Sequence, residues 1–230
     1  MLLAIDTSTR QMGLALYDGD QVIGEFLWHS RHYHTVELAP AVADLLNRSG
    51  LEMDAIQALG VALGPGSFTS LRVGLAFVKG LALARHIPII GVPTLDIVAA
   101  AQEVRDASTG LSTSMPLIAV LQAGRGRLAA CQYEAAEGIW QAEGDPQVTT
   151  ADDLADQIHK PTIVCGELTG DERQRLARKR VNVLLASPAQ CVRRPAILAE
   201  LAWERWQTGI EADAAVLAPI YLHVANPIPS

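Results

Sequence analysis

The chain has 230 residues and a formal net charge of −7, with 50% of its residues hydrophobic and 19% charged. That acidic surplus argues against a protein that grips nucleic acid by itself, and the length suffices for one domain or two small lobes with a self-sufficient core. Cys131, Cys165 and Cys191 are widely spaced and form no Cys-x-x-Cys pair, so they read as buried thiols rather than a disulfide framework or a zinc site.

The first residues, Met-Leu-Leu-Ala-Ile-Asp6, lack a basic region and meet a carboxylate at once, which marks a strand and not a signal peptide. No uncharged apolar run reaches the roughly 18 residues of a membrane span, and a reducing cytoplasm is the expected compartment. Strands are expected at 2–6, 13–17 and 21–28, with a hairpin signal in Tyr17-Asp-Gly-Asp20. A helix over 35–48 follows, closed by Asn47-Arg48-Ser49-Gly50. Next come a buried strand at 58–63, an apolar helix at 67–85, a strand at 87–92 and a helix at 94–105. Three strands in a meander followed by alternating helices and strands give the element order of an RNase H-like lobe. The small polar stretch 106–114 is the boundary candidate. A second unit is expected from strands at 116–122 and 127–133, a helix at 151–158 and a strand at 162–165. A helix near 171–179, a strand at 181–184 and a last helix at 195–207 complete it. The fold class is therefore α/β with two such lobes, 1–106 and 112–230, and the last helix is a candidate to pack back on the N-terminal lobe. The tail at 226–230 reads as loose.

The most informative stretch is Gly60 to Leu81. A strand ends at Gly64-Pro65-Gly66, where glycine permits a tight turn and close backbone approach, and a helix opens at Ser67. Such a helix start can hold a phosphate. On a helical wheel Thr69, Arg72 and Lys79 share one narrow stripe, while Phe68, Leu71, Val73, Leu75, Phe77, Val78 and Leu81 spread over most of the rest. One sheet contact needs an apolar arc of about 100°, so the surplus points to a partner protein. Leu71, Leu75 and Val78 along one edge, with Leu38 and Val42 on the preceding helix, form the expected interface. Part of this set is expected to be exposed in a monomer, with Gly74 and Gly80 allowing helices to approach closely.

Asp6-Thr7-Ser8-Thr9 at the end of the first strand reads in two ways. With Gly64, Gly66 and Ser67 it forms a phosphate or nucleotide cleft in which Asp6 orients a magnesium-bound water. Alternatively, Thr7 and Ser8 bond their own backbone in a strand-end turn. His29, His32 and His34 invite a metal reading, but no nearby carboxylate or cysteine except Glu37 completes the set, and loop histidines are the plainer account. Arg173, Arg175, Arg178, Lys179 and Arg180 end a helix that Asp171 and Glu172 begin, as the macrodipole favours in a solvated helix. Trp203 and Trp206 share a helix face and read as core or interface. No Walker A lysine loop, His-Glu-x-x-His or Gly-x-Ser-x-Gly occurs, which excludes the simplest ATPase, protease and lipase readings.

Ile5-Asp-Thr-Ser-Thr9, His34-Thr35, Gly64-Pro-Gly-Ser-Phe-Thr69, Arg72-Val-Gly74, Lys79-Gly-Leu-Ala82 and Ile90-Gly-Val-Pro-Thr-Leu95 closely resemble the TsaB (YeaZ) family over about residues 2–100. The resemblance implies two actin-like (ASKHA) lobes and a subunit of the bacterial machinery that makes N6-threonylcarbamoyladenosine beside the tRNA anticodon. It implies a non-catalytic partner of the transferase TsaD, associated also with the ATPase TsaE and with itself as a homodimer. No catalytic residue, metal or cofactor is implied, tRNA contact is at most indirect, and no membrane is involved. TsaD-type proteins carry His-x-x-x-His after the Ile-Gly-Val strand, where this chain has Thr94 and Val98. Many relatives have Asp-Ala-Arg at the first strand turn of the second lobe, where this chain has Gln122-Ala123-Gly124-Arg125. An actin-like small-molecule kinase is the alternative, with Gly166-Glu-Leu-Thr-Gly170 as a thin candidate for its adenosine turn.

Overall fold

The computed structural model describes residues 1–31, 34–104, 115–178, 181–213 and 215–222. The chain divides into two units: Met1–Ile97 with Arg193–Ile220, and Val98–Val192 with the chain from Tyr221 on. The boundary stretch expected at 106–114 lies outside the described residues, as do His32, Lys179, Arg180 and the tail.

Unit 1 contains strands β1 (Leu2–Asp6), β2 (Gln11–Tyr17), β3 (Val22–His29), β4 (Ala58–Ala62) and β5 (Ile89–Val92). They form one sheet in the order β3-β2-β1-β4-β5. The β1–β2 and β2–β3 pairs are antiparallel, and β1–β4 and β4–β5 are parallel. Every residue of β1 and β4 is buried, so these strands read as continuous apolar runs covered on both faces. Side chains alternate between the two faces with the strand period of two. One face presents Leu3, Ile5, Leu14, Leu16, Leu59 and Val61 to helices α1 (His34–Arg48) and α2 (Phe68–Arg85). The other presents Leu2, Ala4, Ala15, Ala58 and Ala62 to Leu198, Ala199 and Ala202 of the C-terminal helix Pro195–Gln207.

That second face is lined by small side chains, which lets the C-terminal helix lie close. A Cβ on Gly60 would come within 2.8 Å of Ala202 Cβ. Glu25 of β3 anchors the helix start by accepting from the Ala196 N–H at 3.0 Å and pairing with Arg194. Trp203 packs edge-on against both Tyr17 and Trp206, so the two tryptophans belong to the packing of unit 1. Beyond this helix the chain bridges Ile89 at Ala212, and the Ile220 N–H reaches the Leu63 carbonyl at 2.7 Å. Helix α3 spans Thr94–Ala100, shorter than the 94–105 expected, because residues 101–104 leave the helical path.

Unit 2 repeats the order. Strands β6 (Leu117–Gly124), β7 (Arg127–Ala136), β8 (Ile139–Ala142), β10 (Thr162–Gly166) and β11 (Val183–Leu185) pair as β11-β10-β6-β7-β8, and β9 (Gln147–Thr149) joins β7. Helices α4 (Ala151–Gln157) and α5 (Gly170–Ala177) cover one face through Leu154, Ala155 and Leu176. The C-terminal helix is α6 in chain order. Strands β8 and β9 were not anticipated from sequence; each is short and largely exposed, which weakens the period-two signal. Cys165 is fully buried, and that burial, followed by the neighbouring Cys191, pushes its thiol well above the usual range. Among the described residues no helix is long and apolar enough to cross a membrane.

Candidate functional site

In a sheet of this order the ligand crevice lies beyond the carboxyl ends of β1 and β4, where the connections diverge. The structure brings Asp6, Thr7, Ser8, Gly64, Gly66 and Ser67 together there. Asp6 is 2% exposed, and its Oδ1 accepts from the Ser8 N–H at 2.8 Å. Its Oδ2 is ion-paired to Arg193, itself 1% exposed. The Arg193 Nη2 also donates to Thr9 Oγ1 at 3.1 Å and to the Gln11 carbonyl at 2.9 Å. Thr7 Oγ1 donates to the Ser70 carbonyl at 2.8 Å, fastening β1 to the first turn of α2. A Cβ on Gly74 would overlap Thr7 Oγ1, so this glycine serves close packing inside the unit.

Thr94 closes the network. Its Oγ1 lies 2.8 Å from Ser8 Oγ and accepts from the Gly64 N–H at 2.9 Å, while its own N–H donates to the Gly64 carbonyl at 2.7 Å. The position at which TsaD-type proteins carry a histidine is thus a buried hydroxyl tie between the β1, β4 and α3 segments, and Val98 is core. Gly64 has φ 111° and Gly66 packs so closely that a Cβ would overlap the Ser8 carbonyl. The Ser67 N–H donates to that carbonyl at 2.7 Å, and Ser67 Oγ accepts from Ser70 Oγ at 3.0 Å. At the helix start expected to hold a phosphate, the Ser67 amide is therefore committed to the protein. Arg193 and the tie through Thr94 were not singled out as cleft residues from sequence. Arg193 stands 187 positions from Asp6, and only its place just before the Pro195 helix start could have drawn notice.

The second expected site is α1 with α2, and here the structure corrects the sequence reading. Leu38, Val42, Leu71, Leu75 and Val78 are all buried within unit 1, and Gly74 lies against Thr7. They cannot form an exposed monomer surface. The reason is register: Leu71, Gly74, Leu75, Val78 and Ala82 recur at helical spacing and take the arc that faces the sheet. The surplus apolar character falls on other residues. Phe68 is 53% exposed and Leu83 77%, while Val36 on α1 reaches 68%. Thr69, Arg72, Ala76 and Gly80 are also exposed, and Gly80 faces open space. Arg72 stacks over the Phe68 ring at 3.7 Å. A groove of about 460 Å³ lined by Thr35, Phe68, Thr69, Arg72, Val73 and Ala76 runs along this face.

Other candidates have local duties. His34 is buried with its Nε2 at 3.0 Å from the Thr9 carbonyl, and His29 is exposed. Among the described residues no cluster of three or more His, Cys, Asp or Glu side chains is arranged to hold a metal. Arg173 donates to the Ala186 carbonyl at 2.6 Å, and Arg175 pairs with Asp152 at 2.7 Å. In unit 2 the turn at Gly166–Gly170 is filled: a Cβ on Gly166 would overlap the Val120 carbonyl, and Thr169 with Glu172 forms a capping box on α5. Gln122 Nε2 donates to Glu172 Oε2 at 2.7 Å. An anion placed at this helix start would meet Asp171 and Glu172.

Fold and site together define a protein of two actin-like (ASKHA) α/β units, the first with its strand-end crevice occupied by its own side chains. A family profile described as "TsaD: tRNA N6-adenosine threonylcarbamoyltransferase" matches residues 28–182. The chain is 32% identical over 229 residues to the tRNA threonylcarbamoyladenosine biosynthesis protein TsaB of Bacillus subtilis, covering 98% of this chain and 95% of that one. It is 36% identical over 143 residues to TsaB of Escherichia coli, covering 62% of this chain and 59% of that one. The solved structure of YeaZ from Pseudomonas aeruginosa superposes with a TM-score of 0.75 at 26% identity, over 96% of this chain and 99% of that one. The chain belongs to the TsaB family, within the wider group that the transferase profile describes.

Proposed function

We propose that this protein is a non-catalytic cytoplasmic subunit in the formation of N6-threonylcarbamoyladenosine on tRNA, acting by docking on a TsaD-type transferase. Membership of the TsaB family supports the process. The observation that carries the docking mode is the outer face of α1 and α2, where Val36, Phe68, Ala76, Gly80 and Leu83 place apolar and small residues at exposed positions. Small residues at Ala76 and Gly80 let a partner helix come close, and a large Phe or Leu buried there contributes about 1.5–3 kcal/mol. In isolation the same face serves a second copy of the chain, and the TsaE-type ATPase joins the assembly elsewhere. The net charge of −7 fits an indirect role toward tRNA.

The test is a charge scan on both arcs of α2. Ala76→Arg and Leu83→Glu are expected to keep cooperative unfolding, to lose co-elution with TsaD on sizing, and to lower tRNA modification in a reconstituted reaction by at least tenfold. Leu75→Glu, which puts a charge in the core, is expected to unfold the protein. Full modification by well-folded Ala76→Arg and Leu83→Glu proteins would remove this face from the mechanism.

A further inference from the structure

The Arg193 guanidinium sits in the strand-end crevice of unit 1, where three oxygen groups of one turn bond it. Asp6 supplies a carboxylate, Thr9 a hydroxyl and Gln11 a main-chain carbonyl, all from the β1–β2 turn. Carboxylate, hydroxyl and carbonyl oxygens are the ligand chemistry of hard divalent cations such as Mg²⁺, Mn²⁺ and Ca²⁺. A carboxylate buried to 2% exposure needs a counter-charge, because an isolated buried charge is far too costly to maintain. The cation here arrives from the far end of the chain, at the residue where the backbone re-enters unit 1 just ahead of α6. Arginine fits this place because it stays charged at every relevant pH and its planar fork reaches several acceptors at once.

We propose that Arg193 is a built-in cation occupying the place of a divalent metal ion beside Asp6, so that removing its guanidinium opens a weak metal site in the β1–β2 turn. The arrangement explains two features together. It closes unit 1 to metal–phosphate ligands, since the Asp6 carboxylate is already neutralised. It also ties the segment ahead of α6 to β1 and β2, so the charge that seals the crevice fixes the helix covering the small-residue face of the sheet. With a single carboxylate in the donor set, the opened site falls in the range of weak oxygen-ligand sites, half-saturating at about 1 mM.

The experiment titrates Mn²⁺ into wild-type protein, Arg193→Ala and the double variant Asp6→Asn/Arg193→Ala, reading thermal unfolding and the fraction of Mn²⁺ bound by electron paramagnetic resonance. Arg193→Ala is expected to melt below wild type, to regain about 3 °C in 10 mM Mn²⁺, and to bind one ion per chain. Wild type and the double variant are expected to show neither effect. Arg193→Met, which keeps most of the side-chain volume, carries the same titration if the alanine variant is recovered unfolded, with refolding in Mn²⁺ as the readout. Three results would overturn the proposal: no response to Mn²⁺ in either Arg193 variant, an equal response in all proteins, or Asp6-dependent Mn²⁺ binding by wild type.

Discussion

The two units follow one plan and finish their crevices in opposite ways. Each places its first strand between the antiparallel second strand and a parallel strand, β4 in unit 1 and β10 in unit 2, and the β8-β7-β6-β10-β11 sheet repeats β3-β2-β1-β4-β5. At the end of the first strand, unit 1 has Asp6 held by Arg193, a full ion pair out of water. Unit 2 has Gln122, whose amide donates to Glu172 at the start of α5. The helices differ as sharply. α2 runs 18 residues with apolar side chains on both its inward and outward arcs, whereas α5 is 8 residues long and mostly polar. One topology thus supports a buried charge pair and a helix with an exposed apolar arc in unit 1, and a neutral hydrogen-bonded turn with a mostly polar helix in unit 2. Topology fixes where a crevice lies, and the residues at two or three positions decide what fills it.

The largest expected effect tests the two strand-end polar contacts against each other. Asp6→Asn leaves the Arg193 guanidinium buried without its carboxylate, and breaking such a pair from one side costs about 3–5 kcal/mol. Gln122→Ala leaves Glu172 still bonded to the Thr169 N–H at 2.7 Å, so the loss is about 1 kcal/mol. Urea unfolding of both variants measures the ratio. Equal losses would mean that the ion pair is no more demanding than the amide, and the contrast between the units would fail.

A somewhat smaller effect probes what the units share. Gly66 lies in the turn after β4 and Gly166 ends β10, the corresponding strand of unit 2, and in each case a Cβ would overlap a main-chain carbonyl of the first-strand region, Ser8 in unit 1 and Val120 in unit 2. Gly166 is also at φ 116°, a conformation that side chains resist. Alanine at either position forces backbone to move, with an expected loss of about 3 kcal/mol. If Gly66→Ala is tolerated within about 1 kcal/mol, the close approach of the Gly64–Gly66 turn to β1 is not fixed by packing.

Much of this organisation was legible in the chain itself. β1 and β4 are continuous apolar runs, α1 ends in a clear stop signal, and the Gly-Pro-Gly turn announces the start of α2. The residues of the cleft were legible too, since Asp6, Ser8, Gly64 and Ser67 do meet. What fills it was not, because the partner of Asp6 lies near the other end of the chain and ion pairing carries no local periodicity. The arc of α2 that faces the sheet was also hidden. A helical wheel shows how much apolar surface a helix has, but the contact of Gly74 with Thr7 decides which arc turns inward. Choosing Leu75 and Val78 as the outer edge therefore inverted the helix, while the excess that motivated the choice resides in Phe68 and Leu83.

The smallest expected effect separates the two hairpins that join the second and third strands. In unit 2 the turn is carried by backbone conformation, with Glu137 at φ 53° and Gly138 at φ 82°. In unit 1 Gly19 also takes a positive φ, 105°, and a side chain is added to it: Asp18 Oδ1 accepts from the Asp20 N–H at 2.9 Å and the Gln21 N–H at 2.7 Å. These bonds, the Asp20 amide first and the Gln21 amide second, hold the exposed Asp18 carboxyl below its usual range. A carboxyl whose pKa is depressed by folding contributes stability at pH values above its unfolded pKa of about 3.9, and that contribution is lost as pH falls through the folded value. The amide resonances of Asp20 and Gln21 are therefore expected to move with acid at a midpoint below that of free aspartate. Asp18→Asn abolishes the movement, and the amides of the 137–138 turn do not follow it. A midpoint at or above the free value would show that Asp18 does not organise its turn, and the two hairpins would then rest on the same backbone device.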